Sequence, residues 1–212
     1  MQKVIAVTGL KGSGKDTIAS IICKYDSSFR IIAFADRLKD ICAVMFGWNR
    51  DMLSGRFPES REWRERPDEF WSKELGIEFT PRKALTTVGT DIIRGTLLAH
   101  IWDIAVKKEI LDHPDINYII TDCRFPNELN MIRDLHGIVI QVERGKKPDW
   151  WDIALNYNLG KFGASEPEEL KNIHPSERDW IGINNPEHVF INDSSLEDLE
   201  KQVVDYFGLM ND

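Results

Sequence analysis

Cysteine is scarce in this 212-residue chain, and the three present, Cys23, Cys42 and Cys123, make neither a CxxC pair nor a metal-ligand spacing. A disulfide framework or zinc site is therefore without support, and a reducing cytosol is the expected setting. Long apolar runs are missing too. No stretch reaches the roughly 18 apolar residues of a membrane span, and the first apolar run, Val4 to Val7, stops at Thr8-Gly9 without the pattern of a cleaved signal. Positive charge is in deficit: 27 Lys and Arg stand against 35 Asp and Glu, a net charge of −8. That balance argues against a nucleic-acid polymer or an anionic membrane as partner. It leaves room for a small anion, because a few arginines and a nest of backbone amides can hold a phosphate on an acidic protein. Internal repeats and low-complexity tracts are absent. The expectation is a soluble, cytoplasmic, globular protein with one domain over residues 1–212.

What is present is an alternation of strand and helix signals. Lys3 to Thr8 is a short β-branched run that reads as a buried strand. A glycine-rich turn follows, and Ile18, Ala19, Ile21 and Ile22 then have helical spacing. Arg30 to Ala35 reads as a second strand, with Asp36 as N-cap of the next helix. Trp48 to Phe79 breaks the alternation with arginines, tryptophans and acids in no clean period, and is expected to be an inserted, partly mobile segment. Thr80-Pro81 has the chemistry of a helix start, and Leu97 to Leu111 is a further helix. Asn117 to Thr121 and Ile138 to Val142 read as strands flanking a helix opened by Pro126. About 40 residues after Arg144 are rich in Trp, Asn, Gly and Pro, a loop long enough to be a lid or to hide short helices. Val189 to Ile191 is the last strand, and Ser194 or Ser195 caps the final helix. The pattern is that of an α/β domain with a mostly parallel sheet.

Gly9 to Thr17 reads GLKGSGKDT, the phosphate-binding pattern G-x-x-x-x-G-K placed between a strand and a helix. Glycines let Gly12, Ser13 and Gly14 turn successive amides inward on a polyphosphate, the helix start adds its partial positive charge, and Lys15 reaches the terminal phosphates. Asp16 stands where Ser or Thr usually ligates Mg²⁺, and the hydroxyl comes one place later, at Thr17. A carboxylate there can hold Mg²⁺ directly or through water, so both residues are metal candidates. Asp122, at the end of the third strand, is expected to tune metal or water. Arg124 has the planar fork to brace a phosphoryl group.

A GTPase would need a guanine-reading Asn-Lys-x-Asp segment, and none is present. A small kinase fits better, since it needs a donor site, an acceptor site on an insertion and a lid that keeps water out. Five segments in order carry a resemblance: GLKGSGKDT, FADRLKD (34–40), TPRKALTTVGTD (80–91), TDCRFPNE (121–128) and HPSE (174–177). Together they are similar to those of bacteriophage-type deoxynucleoside monophosphate kinases.

The resemblance implies a three-layer P-loop kinase fold with an acceptor-binding insertion near 48–80 and a lid near 145–186. It also implies ATP as phosphate donor, Mg²⁺, and a deoxynucleoside 5′-monophosphate as acceptor. By the same resemblance Lys11 faces the acceptor phosphate, Asp36 and Lys39 border its site, and Arg82 grips the monophosphate. Arg124 and Glu128 face the acceptor's base, sugar or phosphate, and His174 and Glu177 pack the lid or touch substrate. Trp150, with Trp151, is a candidate to stack a base. Asn192 to Ser195 resembles an adenine-side loop. The base accepted is open, and an exposed Trp and Met surface could support a homodimer.

Overall fold

The computed structural model describes residues 2–98, 100–163 and 165–209. The chain divides into two compact units, one of residues 1–33 and 106–212, the other of residues 34–105.

The first unit is built on five parallel strands, β1 (Val4–Thr8), β2 (Phe29–Ile32), β3 (Asn117–Ile120), β4 (Ile138–Glu143) and β5 (His188–Ile191), in the order β2-β3-β1-β4-β5. All five residues of β1 are buried, as a central parallel strand covered on both faces requires. Ile5 and Val7 point to one face, where they meet Ile18, Ala19 and Ile22 of α1 (Lys15–Tyr25) and Leu199 and Val203 of α11 (Leu196–Phe207). The opposite face is covered by α8 (Pro126–Asp134), whose Leu129 and Ile132 are fully buried and which packs on β1 and β4. Helices on both faces of an all-parallel sheet make the three-layer α/β fold expected from the alternation. Ser195 caps α11, its Oγ accepting from Asp198 N at 3.1 Å. Among its described residues, the long segment after β4 holds two short α-helices, α9 (Trp151–Asn158) and α10 (Pro175–Arg178). Trp151 and Trp180 pack edge to face beneath them, ring centroids 5.6 Å apart.

The strand order fixes where a ligand goes. The chain leaves β1 toward β2 and β3 on one side and later reaches β4 and β5 on the other, so β1 is the switch point, and the crevice beyond its carboxyl end is the natural binding place. Thr8 ends β1 there.

The second unit is helical: α2 (Asp36–Phe46), α3 (Arg50–Ser54), α4 (Pro58–Glu65), α5 (Glu69–Leu75) and α6 (Pro81–Thr86), which runs on as a π-helical segment, Thr87–Leu97. The chain returns to the first unit within α7 (Ile101–Asp112). Residue 99 of the expected Leu97–Leu111 helix lies outside the described residues. The Trp48–Phe79 segment is three helices rather than the irregular stretch expected. Its aromatics make a small core of their own: Phe46 stacks on Trp48 at 4.5 Å, Trp71 meets Phe46 edge-on at 5.2 Å, and Trp48 Nε1 donates to Asp68 at 2.8 Å. Asp36 is not the N-cap of α2. Ala35 holds that position, and the Asp36 carboxylate takes charged donors instead, Arg50 at 2.9 Å and Lys39 at 3.3 Å. Thr80 does cap α6, its Oγ1 accepting from Lys83 N at 3.0 Å. Among the described residues, no helix is long and apolar enough to cross a membrane.

Candidate active site

Lys15 opens α1 directly after the loop, so its backbone is helical while its side chain folds back over the loop. Its Nζ donates to the carbonyls of Gly9 and Leu10 at 2.9 and 2.8 Å. Gly14 sits at φ +111°, a conformation that a side chain strains. A Cβ there would lie 2.5 Å from Asn192 Nδ2. That amide is placed by β5: Asn192 N donates to Glu143 O at 2.8 Å, and Asn192 Nδ2 donates to Ser13 O, also at 2.8 Å. Asn192 thereby pins the peptide between Ser13 and Gly14. Ser13 Oγ is buried and has no hydrogen-bond partner among the described residues.

Burial, then the nearby Arg124 guanidinium, lower the Lys15 ammonium from 10.5 to about 8, with Glu177, Asp16 and Asp122 pulling the other way. Three carboxylates and one arginine thus bear on one lysine. Asp122 comes there because Ala6 pairs with Ile120, which brings the residue two beyond β3 beside the end of β1. Arg124 follows on the same loop, and its Nη1 donates to Glu177 Oε1 at 3.2 Å and to Ser176 Oγ at 3.4 Å. The other carboxylate oxygen, Glu177 Oε2, accepts the Lys11 backbone N–H at 3.1 Å.

The Glu177 carboxylate therefore lies between an amide of the loop and the arginine, the two kinds of donor an incoming phosphate would use. Glu177 is a like charge that a polyphosphate must displace. Glu177→Gln is expected to tighten binding of a non-hydrolysable ATP analogue about fivefold, the scale of one partly screened charge at roughly 1 kcal/mol. Titration calorimetry decides it. Weaker binding would mean that Glu177 serves instead to orient Arg124.

His174 is exposed and caps α10, its Nδ1 accepting from Ser176 N at 3.2 Å. It supports the turn that carries Glu177 and, in this structure, acts as a cap. Glu128 is 2% exposed, and its Oε2 accepts from the backbone N–H groups of Arg124 and Phe125 at 2.7 and 3.1 Å. Glu128 thereby holds the Arg124 loop on α8. Trp150 is half-buried at the start of α9, while Trp151 is core. Asp16 is exposed in the first turn of α1, with Thr17 half-buried beside it. These are hard oxygen donors of the kind Mg²⁺ takes, in the one-carboxylate setting where substrate phosphates and water complete the shell.

In the second unit, Asp36 and Lys39 do come together, and with them Arg50, which sequence reasoning passed over. Asp36, Asp40, Arg50, Arg56 and Phe57 line a cavity of about 490 Å³. Arg82 pairs with Glu65 at 3.0 Å, both side chains well exposed. Sequence reasoning also missed Arg144 and Lys147, which line a small cavity with Leu10 and Ser13 of the loop.

No protein-family model matches the chain. It is 28% identical to the "Putative deoxynucleotide monophosphate kinase" of Acanthamoeba polyphaga mimivirus, over 95% of this chain and 94% of that protein. It is 26% identical to the deoxynucleoside-5′-monophosphate kinase of Escherichia phage T5, over 84% of each. Among solved structures, dephospho-CoA kinase from Campylobacter jejuni is similar at 16% identity with a TM-score of 0.46, covering 98% of this chain and 96% of that one.

Proposed function

We propose that this protein transfers the γ-phosphate of ATP to a deoxynucleoside 5′-monophosphate, giving ADP and the deoxynucleoside diphosphate. The observation that carries the reading is the phosphate loop at the switch point of a parallel sheet, with Lys15 and Arg124 bearing on one spot. The two named relatives, aligned over most of the chain, supply the acceptor class.

The roles follow from the chemistry. Amides of Gly12 to Thr17 and the Lys15 ammonium hold the donor's phosphates, and Asn192 keeps the Ser13–Gly14 peptide turned for that task. The acceptor's phosphate oxygen is already anionic, so it needs no strong base. It attacks the γ-phosphorus in line, the new P–O bond forms as the bond to the β-γ bridging oxygen breaks, and ADP leaves with that electron pair. Lys15 and Arg124 neutralise the charge that spreads over the γ-oxygens. Asp16 and Thr17 would hold Mg²⁺, which supplies further charge neutralisation on the donor's phosphates. We assign donor binding to the first unit, with residues 145–186 as lid, and acceptor binding to the second, through Asp36, Lys39 and Arg82. The acceptor unit is then wider than the 48–80 insertion expected.

The test is ADP formation from ATP with each common deoxynucleoside and ribonucleoside monophosphate, and with dephospho-coenzyme A and a phosphorylated mevalonate. ADP and a diphosphate product with at least one deoxynucleotide are expected. Turnover confined to the other acceptors, or none at all, would overturn the assignment.

A further inference from the structure

Within the helical unit, Arg64 is a cation whose Nε has no hydrogen-bond partner among the described residues. The side chain is half-buried and its Nε is sealed from solvent. A buried guanidinium donor is costly to leave unmade, and its surroundings do not relieve it. Burial, then the charge of Arg82, with a smaller part from Arg61, hold Arg64 below the usual arginine range, opposed only by Glu65. Glu65 in turn is taken by Arg82.

The placement is built in, as three features show. Gly55 ends α3 at φ +68°, and a Cβ there would lie 2.1 Å from Arg64 Nη2, so the guanidinium occupies the space a side chain would need. Arg61 fastens the same turn, its Nε donating to Gly55 O at 2.9 Å. The third arginine, Arg82, is brought in by the packing of α4 on α6. Like charges gathered by folding, with one exposed carboxylate among them, are an arrangement that an anion completes.

We propose that Arg64, flanked by Arg61 and Arg82, is the seat of the acceptor's 5′-phosphate, a phosphate monoester dianion. This rests on the kinase reading above and extends it from Arg82 alone to a three-arginine site centred on a residue that no sequence motif marks. When the dianion binds, the weak Arg82–Glu65 pair opens and the Arg64 fork turns to it. Guanidinium suits this better than ammonium because it presents paired donors to two phosphate oxygens.

The experiment uses the full chain and two readouts. In steady-state kinetics with the best monophosphate, Arg64→Leu and Arg64→Lys are expected to raise the acceptor KM about 10- to 100-fold while leaving the KM for ATP within about twofold, the range for losing a charge-assisted pair. In thermal unfolding without nucleotide, Arg64→Leu should be at least as stable as the parent, since an uncompensated charge is removed. Inorganic phosphate should raise the parent's Tm by more than the variant's, the rise left in the variant being that of the Gly9–Thr17 loop. An unchanged acceptor KM, or a phosphate-induced rise in Tm as large in the variant as in the parent, would make Arg64 a packing residue and sink the proposal. Should Arg64→Leu fail to fold, Arg64→Lys carries the kinetic arm. If no monophosphate is turned over by the parent, the kinase reading fails, and the phosphate-dependent Tm still decides the site.

Discussion

Lys15→Ala is expected to lower the transfer rate by about 10³-fold or more, some 4 kcal/mol of transition-state stabilisation, because a preorganised charge in a site poor in water is removed. The size of the effect follows from what the side chain does when no nucleotide is present. Its ammonium is held by the Gly9 and Leu10 carbonyls and lowered to about 8 by burial and by Arg124. A triphosphate adds negative charge to that of Glu177, Asp16 and Asp122, so the bound state holds the proton more tightly than the free one. The sign of the pH dependence follows. Below about pH 8 Lys15 is charged in both states, and affinity is flat. Above it the free enzyme loses the proton that the complex keeps, so affinity for a non-hydrolysable analogue falls with rising pH, by up to about tenfold per unit. Lys15→Ala should flatten that profile as well as slow turnover. A near-normal rate, or an alkaline fall that survives the substitution, would remove the loop from the mechanism.

Much of this site was legible because the loop is local. Nine consecutive residues, from Gly9 to Thr17, set the turn, the lysine and the helix start, and a strand before them places the turn at the carboxyl end of the sheet. Asp122 and Arg124 were legible for a related reason, since a carboxylate just after a buried strand falls at the same end of a parallel sheet. The latch between Glu177 and Lys11 was not, because its partners lie 166 residues apart in the chain and only the return of α10 to the loop joins them. The capping task of Glu128 was not legible because its motif position says nothing of burial; a glutamate two residues past Pro126 can cap α8, and does. The three helices between Trp48 and Phe79 escaped because they are only 5, 8 and 7 residues long, too short to display an amphipathic period. Asp36 looked like a cap until Arg50 and Lys39, stronger charged donors, took its carboxylate.

Arg124→Ala should be the other large loss, about 10²- to 10³-fold in turnover, the scale of removing one preorganised donor from developing charge. It also makes a prediction that a merely structural arginine would not. The guanidinium is the leading charge that lowers Lys15, after burial, so its removal should shift the alkaline edge of triphosphate binding upward from about pH 8. At the same time Glu177 loses the donor to its Oε1 and keeps only the Lys11 amide on Oε2, which leaves an uncompensated carboxylate beside the loop. Triphosphate binding at neutral pH should therefore weaken more in Arg124→Ala than in the double variant Arg124→Ala/Glu177→Gln, where the surplus negative charge is gone. Turnover in the double variant should stay low, because the missing charge acts on the γ-oxygens in the transition state and a neutral amide does not replace it. If the double variant regains turnover along with binding, Arg124 serves only to hold Glu177 away from the phosphates, and its part in the chemistry is withdrawn.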